Sequence, residues 1–192
     1  MHATNQAGAL TRARHGDDEA FAALVQTHSR RIFQLAFRIT RNEQDAEDVV
    51  QESFLRAYRQ LGRFEARADF GTWLYRITAN CAVDHMRSRH QRMRSRTDDI
   101  ADVPMPTDGP NPERLAESSQ LQRLVATALS DLSELEQAAF TLRHHEGRSI
   151  EEICHTLGLG QSAAKHAVFR AVRKLRSLLA PLRDQQPLQQ ES

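Results

Sequence analysis

The 192-residue chain has room for one large or two small domains with a buried core. Its 26 Lys and Arg residues oppose 25 Asp and Glu, so the net charge of +1 points to neither a polyanionic nor a polycationic partner for the chain as a whole. No apolar run approaches the ~20 residues that cross a bilayer, Met1 to Leu10 lacks a secretory apolar core, and Cys81 and Cys154 stand far apart in no metal-ligand spacing. These features argue against membrane insertion, secretion and a disulfide framework, and a cytoplasmic location fits best. GxGxxG, GxxxxGKS/T and Ser/His/Asp patterns are absent, which argues against a phosphate-cradling or nucleophilic enzyme, and no cofactor, metal or catalytic residue is assigned. The charge is segmented: 16 basic and 11 acidic residues over 1–97, 2 and 8 over 98–135, then 8 and 6 over 136–192.

Residues 1–16 read as a disordered extension. Asp17 or Asp18 caps a first helix that carries Phe21, Leu24, Val25, Ile32, Phe33, Leu35, Ala36 and Phe37 and runs to Thr40. Asn42 caps a second, whose apolar positions Ala46, Val49, Val50, Phe54, Ala57, Tyr58 and Leu61 repeat every 3.6 residues. A loop from Gly62 to Asp69 leads to a third helix, from about Phe70 to Arg94, with Trp73, Leu74, Ile77, Cys81 and Val83 supplying apolar surface. These helices make one domain, 17–96.

Residues 97–111, TDDIADVPMPTDGPN, hold three prolines and four aspartates and read as a flexible acidic linker. At ~3.1 Å per residue it reaches roughly 46 Å, a little over one turn of B-DNA. A second domain, 112–180, opens with Asn111-Pro112 and a helix through about Leu129. Capping boxes follow at Ser133/Glu136, for a helix ending near Glu146, and at Ser149/Glu152, for one ending at Leu157. A last helix runs from Gln161 to Leu179, stopped by Pro181, and residues 181–192 form a polar tail. The fold class is all-α, two small helical domains of which the second is a helix-turn-helix.

In that motif Ile150, Ile153, Cys154 and Leu157 form one apolar stripe, and Ala164, Val168, Ala171, Val172 and Leu175 form another beyond a Gly-containing turn. The outer face carries Lys165, His166, Phe169, Arg170, Arg173, Lys174 and Arg176. A major groove admits one helix, so Gln161, Ser162, Lys165 and His166 stand where base edges lie, and Arg170, Arg173, Lys174 and Arg176 where phosphates lie. A hairpin with a solvated basic face is the plainer alternative.

The N-terminal half holds an acidic helix (Glu43, Asp45, Glu47, Asp48, Glu52) and an arginine run (Arg87, Arg89, Arg92, Arg94, Arg96) that nothing in the local sequence opposes. Both also suit the dipole at their helix ends. Phe64, Phe70, Trp73 and Tyr75 precede the arginines, and aromatic rings can stack unpaired bases. Trp73 is more simply core.

DAEDVVQESFLRAY, FGTWLYRITANCAVDHMRSR and the terminal helix-turn-helix, in that order, resemble the extracytoplasmic-function group of bacterial sigma factors over roughly 17–97 and 113–180. The resemblance implies a promoter-specificity subunit with three partners. These are core RNA polymerase, held through the β′ clamp helices and the β flap, promoter DNA, and an anti-sigma factor. It implies that Asp48, Gln51 and Glu52 dock on the clamp helices, and that the Gly62–Phe70 loop, with Phe64, receives a flipped −10 base. Asn80, Asp84 and Arg87 would recognise and melt the −10 element. The helix bearing Gln161, Ser162, Lys165, His166, Phe169, Arg170, Arg173 and Lys174 would read the −35 element. Ala163 and Ala167 replace a hydroxyl and an arginine usual there, so the −35 preference does not transfer. Two rivals remain: a helix-turn-helix regulator that is not a polymerase subunit, and a metal enzyme using His144, His145, Cys154 and His155. His144-His145 reads more simply as a solvated or capping pair, and both cysteines as buried structural residues.

Overall fold

The computed structural model describes residues 2–64, 69–95, 128–129 and 131–183, and every regular element among them is helical. The N-terminal lobe consists of α1 (His2–Arg14), α2 (Asp18–Thr40), α3 (Glu43–Gln60) with a 3-10 turn at Leu61–Arg63, and α4 (Phe70–Ser95). The C-terminal lobe consists of α5 (Glu134–Phe140) running into a π turn at Thr141–His145, α6 (Ile150–Leu157) and α7 (Gln161–Arg183).

Short polar side chains start these helices where the sequence places them. Asp17 accepts from Ala20 N at 2.9 Å and Asn42 from Asp45 N at 2.9 Å, each satisfying a donor that the helix itself leaves open. Ser133/Glu136 and Ser149/Glu152 form complete capping boxes. Gly158, at φ 65°, ends α6 in the left-handed conformation that glycine adopts without steric cost. At the start of α4 a Cβ on Gly71 would lie 3.0 Å from His28 Cε1, so the backbone there approaches α2 more closely than a side chain permits.

Two apolar clusters fill the molecule. One lies within the N-terminal lobe and joins Ala9, Ala13, Leu24, Ile32, Phe54, Phe64, Phe70 and Leu74. The other runs across both lobes. It contains Leu35, Ile39, Val49, Ala79, Ala82, Val83 and Met86 from the first, and Ala138, Ala139, Leu142, Ile153, Leu157, Ala164 and Ala167 from the second. The two domains therefore share a core, which no periodicity within either half foretells.

Two expectations need correction. Residues 2–14 form α1 instead of a disordered extension, because Ala9 and Ala13, one turn apart, bury themselves in the N-terminal cluster. Pro181 lies inside α7, which continues to Arg183; the proline's φ is itself helical, so in a last turn it costs little more than one hydrogen bond. The linker 97–111, most of the helix expected over 112–129, loop positions 65–68 and tail residues 184–192 lie outside the described residues.

Leu142 is fully buried in the cluster that spans the lobes. Leu142→Ala is expected to lower the stability of the full chain by about 2–5 kcal/mol, measured by urea unfolding, because the cavity opens where two lobes meet and neither closes it alone.

Candidate polymerase and promoter interfaces

α7 presents two contrasting faces. Ala164, Ala167 and Ala171 are fully buried, whereas Gln161, Ser162, Lys165, His166, Phe169, Arg170, Arg173 and Lys174 are all exposed. The Phe169 ring is 63% exposed, a large apolar group left on a basic surface. Ala167, which stands where an arginine is usual in the family, is fully buried and contributes nothing to the outer face.

Arg170 and Lys174 are less free than a row of phosphate clamps would be. Arg170 Nε lies 3.1 Å and Lys174 Nζ 2.7 Å from the carboxylate of Glu136, which is buried at the start of α5. Burial pushes the Glu136 carboxyl up. The hydrogen bond from Lys174, the Ser133 backbone donor and the two cations outweigh it, so the group sits below its ordinary value and stays charged. The sequence shows Glu136 as half of a capping box; its second role, gathering two cations from α7, has no local signal.

On α3, Asp48 and Gln51 are exposed, and so is Leu55, one turn beyond Gln51 on the same face. Glu52 is half-buried and accepts from Arg56 Nε at 2.6 Å, while Arg56 Nη1 donates to Asp84 Oδ2 at 3.1 Å. One guanidinium thus joins a residue expected to meet polymerase to one expected to meet DNA. Asp45 turns the other way, accepting from Arg89 and standing 3.0 Å from His85 Nε2. The arginine run is therefore opposed at Arg89, by a carboxylate 44 positions away in sequence.

On α4 the expected DNA residues fall in different settings. Phe64, just before α4, is buried, with its ring 4.8 Å from Trp73 and 6.2 Å from Phe70, so it is packed into the core and offers no open stacking platform. Trp73 packs with Phe64 and Phe70, consistent with a core role. Asp84 and Arg87 are exposed. Asn80 is half-buried, and its amide nitrogen donates to Arg76 O and to Thr156 O of α6, both at 2.8 Å.

That last contact belongs to a polar ring around the shared core. Gln137 Nε2 donates to Ile39 O at 2.7 Å, Thr141 Oγ1 donates to Arg38 O at 3.3 Å, and Arg38 pairs with Glu146. His145 Nε2 stands 3.1 Å from Arg41 Nη2, His90 Nδ1 stands 2.6 Å from Glu134 Oε1, and the Arg148 guanidinium lies 5.0 Å from the centre of the Tyr75 ring. The expected solvated pair is thus divided: His144 packs on Phe140 at 4.7 Å, and His145 meets the other lobe. Cys81 is buried, Cys154 is half-buried, and no cluster of metal-ligating side chains occurs among the described residues. No helix among them is long and apolar enough to cross a membrane.

The Sigma-70 region 2 family matches residues 24–92 and Sigma-70 region 4 matches 122–175. Across nearly the whole chain, it is 33% identical to the RNA polymerase sigma-H factor of Pseudomonas aeruginosa, covering 90% of this chain and 93% of that one. The chain belongs to the extracytoplasmic-function sigma factors of the sigma-70 family. The sigma-E factor of Haemophilus influenzae is 33% identical over 90% of this chain and 94% of its own. SigE of Mycolicibacterium smegmatis is 36% identical, and there the match spans 65% of the relative's length. Among solved structures, CnrH in complex with the cytosolic domain of CnrY superposes with a TM-score of 0.60 at 27% identity, over 92% of this chain and 98% of that one. A sigma factor is a non-enzymatic subunit of RNA polymerase that directs promoter-specific initiation, and region 2 over 24–92 sets aside both the free-standing regulator and the metal enzyme.

Two outcomes follow from the charges of this sigma factor. Glu136→Gln releases Arg170 and Lys174, so the salt dependence of nonspecific duplex binding should steepen by about one to two charges, read from the slope of log affinity against log salt. His145 is held below its ordinary value of 6.5, by burial first and then by Arg41 and Arg38, with Glu146 opposing and His144 adding to the effect. Glu134 sits below 4.5, because the bond from His90, its own backbone and the charges of His90 and Arg87 outweigh burial. The lowered histidine supports the lobe contact above 6.5, and that support is lost as pH falls below 6.5 through its depressed value. The lowered Glu134 carboxylate supports it above 4.5 and loses that support as pH falls further. Acidification should therefore loosen the lobes, seen as increased hydrogen exchange at the α2 C-terminus.

Proposed function

We propose that the sigma factor divides its work between the lobes as follows. The exposed Asp48 and Gln51, with Glu52, dock on the β′ clamp helices, and the C-terminal lobe meets the β flap. The outer face of α7 reads the −35 element in the major groove, with Gln161, Ser162, Lys165, His166 and Phe169 at base edges and Arg170, Arg173 and Lys174 nearer phosphates. Asn80, Asp84 and Arg87, with the loop after Phe64, capture the −10 strand. Unstacking a base costs a few kcal/mol, and contacts available only to the unpaired base offset it, so the open promoter is favoured by a population shift. The observation that carries this reading is the exposure of the Asp48 and Gln51 face clear of the lobe contact, opposite in charge to the α7 surface.

The protein acts in the cytoplasm, where polymerase is. CnrH was solved with the cytosolic domain of CnrY, and an anti-sigma partner is the corresponding expectation for this chain. The aspartates of the linker, Asp98, Asp99, Asp102 and Asp108, screen the basic faces when polymerase is absent.

Asp48→Arg reverses the charge at the docking face. Run-off transcription with core enzyme and a promoter library should fall at least tenfold, while duplex binding by the free chain stays within twofold. Normal initiation by this variant would place the docking face elsewhere.

A further inference from the structure

Every α-helix leaves its last carbonyls without partners inside the helix, and they must be satisfied from elsewhere. In this chain each lobe supplies that service to the other. The α2 C-terminus receives Gln137 Nε2 on Ile39 O at 2.7 Å and Thr141 Oγ1 on Arg38 O at 3.3 Å, both from the C-terminal lobe. The α6 C-terminus receives Asn80 Nδ2 on Thr156 O at 2.8 Å, from the N-terminal lobe. Gln137 is buried, so its bond is shielded from competing water.

An amide nitrogen has two donors, and those of Asn80 are spent on Arg76 O and Thr156 O. The apolar positions beside Asn80 are engaged as well: Ala79, Ala82, Val83 and Met86 of α4 belong to the same apolar cluster as Ile153 and Leu157 of α6.

We infer that reciprocal helix capping between the lobes, by Gln137 and Thr141 on α2 and by Asn80 on α6, is a latch that holds the free sigma factor closed with Asn80 turned away from DNA. The α4 face is thus an interaction surface whose partner is the α6 C-terminus of the same chain. Opening exchanges Thr156 O for a nucleic-acid acceptor at one amide. The closing role rests on the contacts alone; the exchange rests on the −10 assignment made above.

Gln137 lies outside every proposed contact with polymerase or DNA, so it tests the latch separately. Gln137→Leu removes the donor at nearly constant volume and strands a buried carbonyl. Its expected effect is a roughly tenfold drop in the closed-to-open ratio, about 1.4 kcal/mol, read as the extended fraction in small-angle scattering of the full chain. Asn80→Asp, which puts an acceptor against Thr156 O, should open the lobes similarly. Circular dichroism verifies that each variant is folded. Should Gln137→Leu lose helicity, Thr141→Val takes its place, since it deletes one hydroxyl on the same helix end. Unchanged scattering from folded Asn80→Asp together with either partner variant overturns the latch. Opening by these variants, with normal promoter melting by Asn80→Ala holoenzyme, keeps the latch and removes only the exchange with DNA. Opening with impaired melting supports both halves.

Discussion

Everything in this molecule depends on the seam where the C-terminal carbonyls of two helices meet donors from the opposite lobe. Without that polar ring the shared cluster would bury carbonyls with no partner, a cost of about 1–3 kcal/mol each. With it, apolar contact and hydrogen bonding reinforce one another, and the two domains become one body among the described residues. The cluster itself is rich in alanine: Ala36, Ala79 and Ala82 on one side face Ala138, Ala139, Ala164 and Ala167 on the other. Small side chains let helices approach closely, yet each removes little apolar area from water. The seam is therefore specific in geometry and modest in strength.

The surfaces left outside the seam differ in kind from those within it. The Asp48 and Gln51 face of α3, the outer face of α7, and Asp84 and Arg87 of α4 are exposed, whereas Asn80 is half-buried. Contact between the lobes thus engages Asn80 and leaves the α3 and α7 surfaces open. The Glu52–Arg56–Asp84 chain joins α3 to α4 through one guanidinium, so a charge that engages Glu52 also alters the partner of Asp84. Exposed pairs of this kind contribute little stability. Their relevance is to orientation, since the same guanidinium cannot serve both carboxylates unchanged once either is taken.

Much of the fold was legible in the residues. Asp17, Asn42, Ser133 and Ser149 mark helix starts by chemistry that acts over three positions, and the apolar repeats of α2, α3 and α7 show which face turns inward. The helix-turn-helix and the acidic face of α3 were read for the same reason. What escaped was non-local. Gln137 and Thr141 look like ordinary polar positions on α5 and its π turn, and only the carbonyls of α2, about a hundred positions away, explain them. Asp45 belongs by spacing to the acidic face yet turns toward Arg89, and Arg89 finds in it a partner that its local sequence does not show. Position 167 faces the core, a direction that the sequence alone does not display. A short helix of small residues such as α1 carries too weak a pattern to be distinguished from an unstructured extension until the surface it packs on is known.

The π turn at Thr141–His145 has a consequence of its own. A five-residue repeat inserts one residue more than an α-turn would, and it does so between the capping box of α5 and the α6–α7 pair. Since each α-helical residue turns the chain by about 100°, removing that single residue would shift the register between α5 and the connection to α6. Spacing across this segment is thus a rotational index, and exchanging domains between related factors at this point requires matching residue number more strictly than matching residue type.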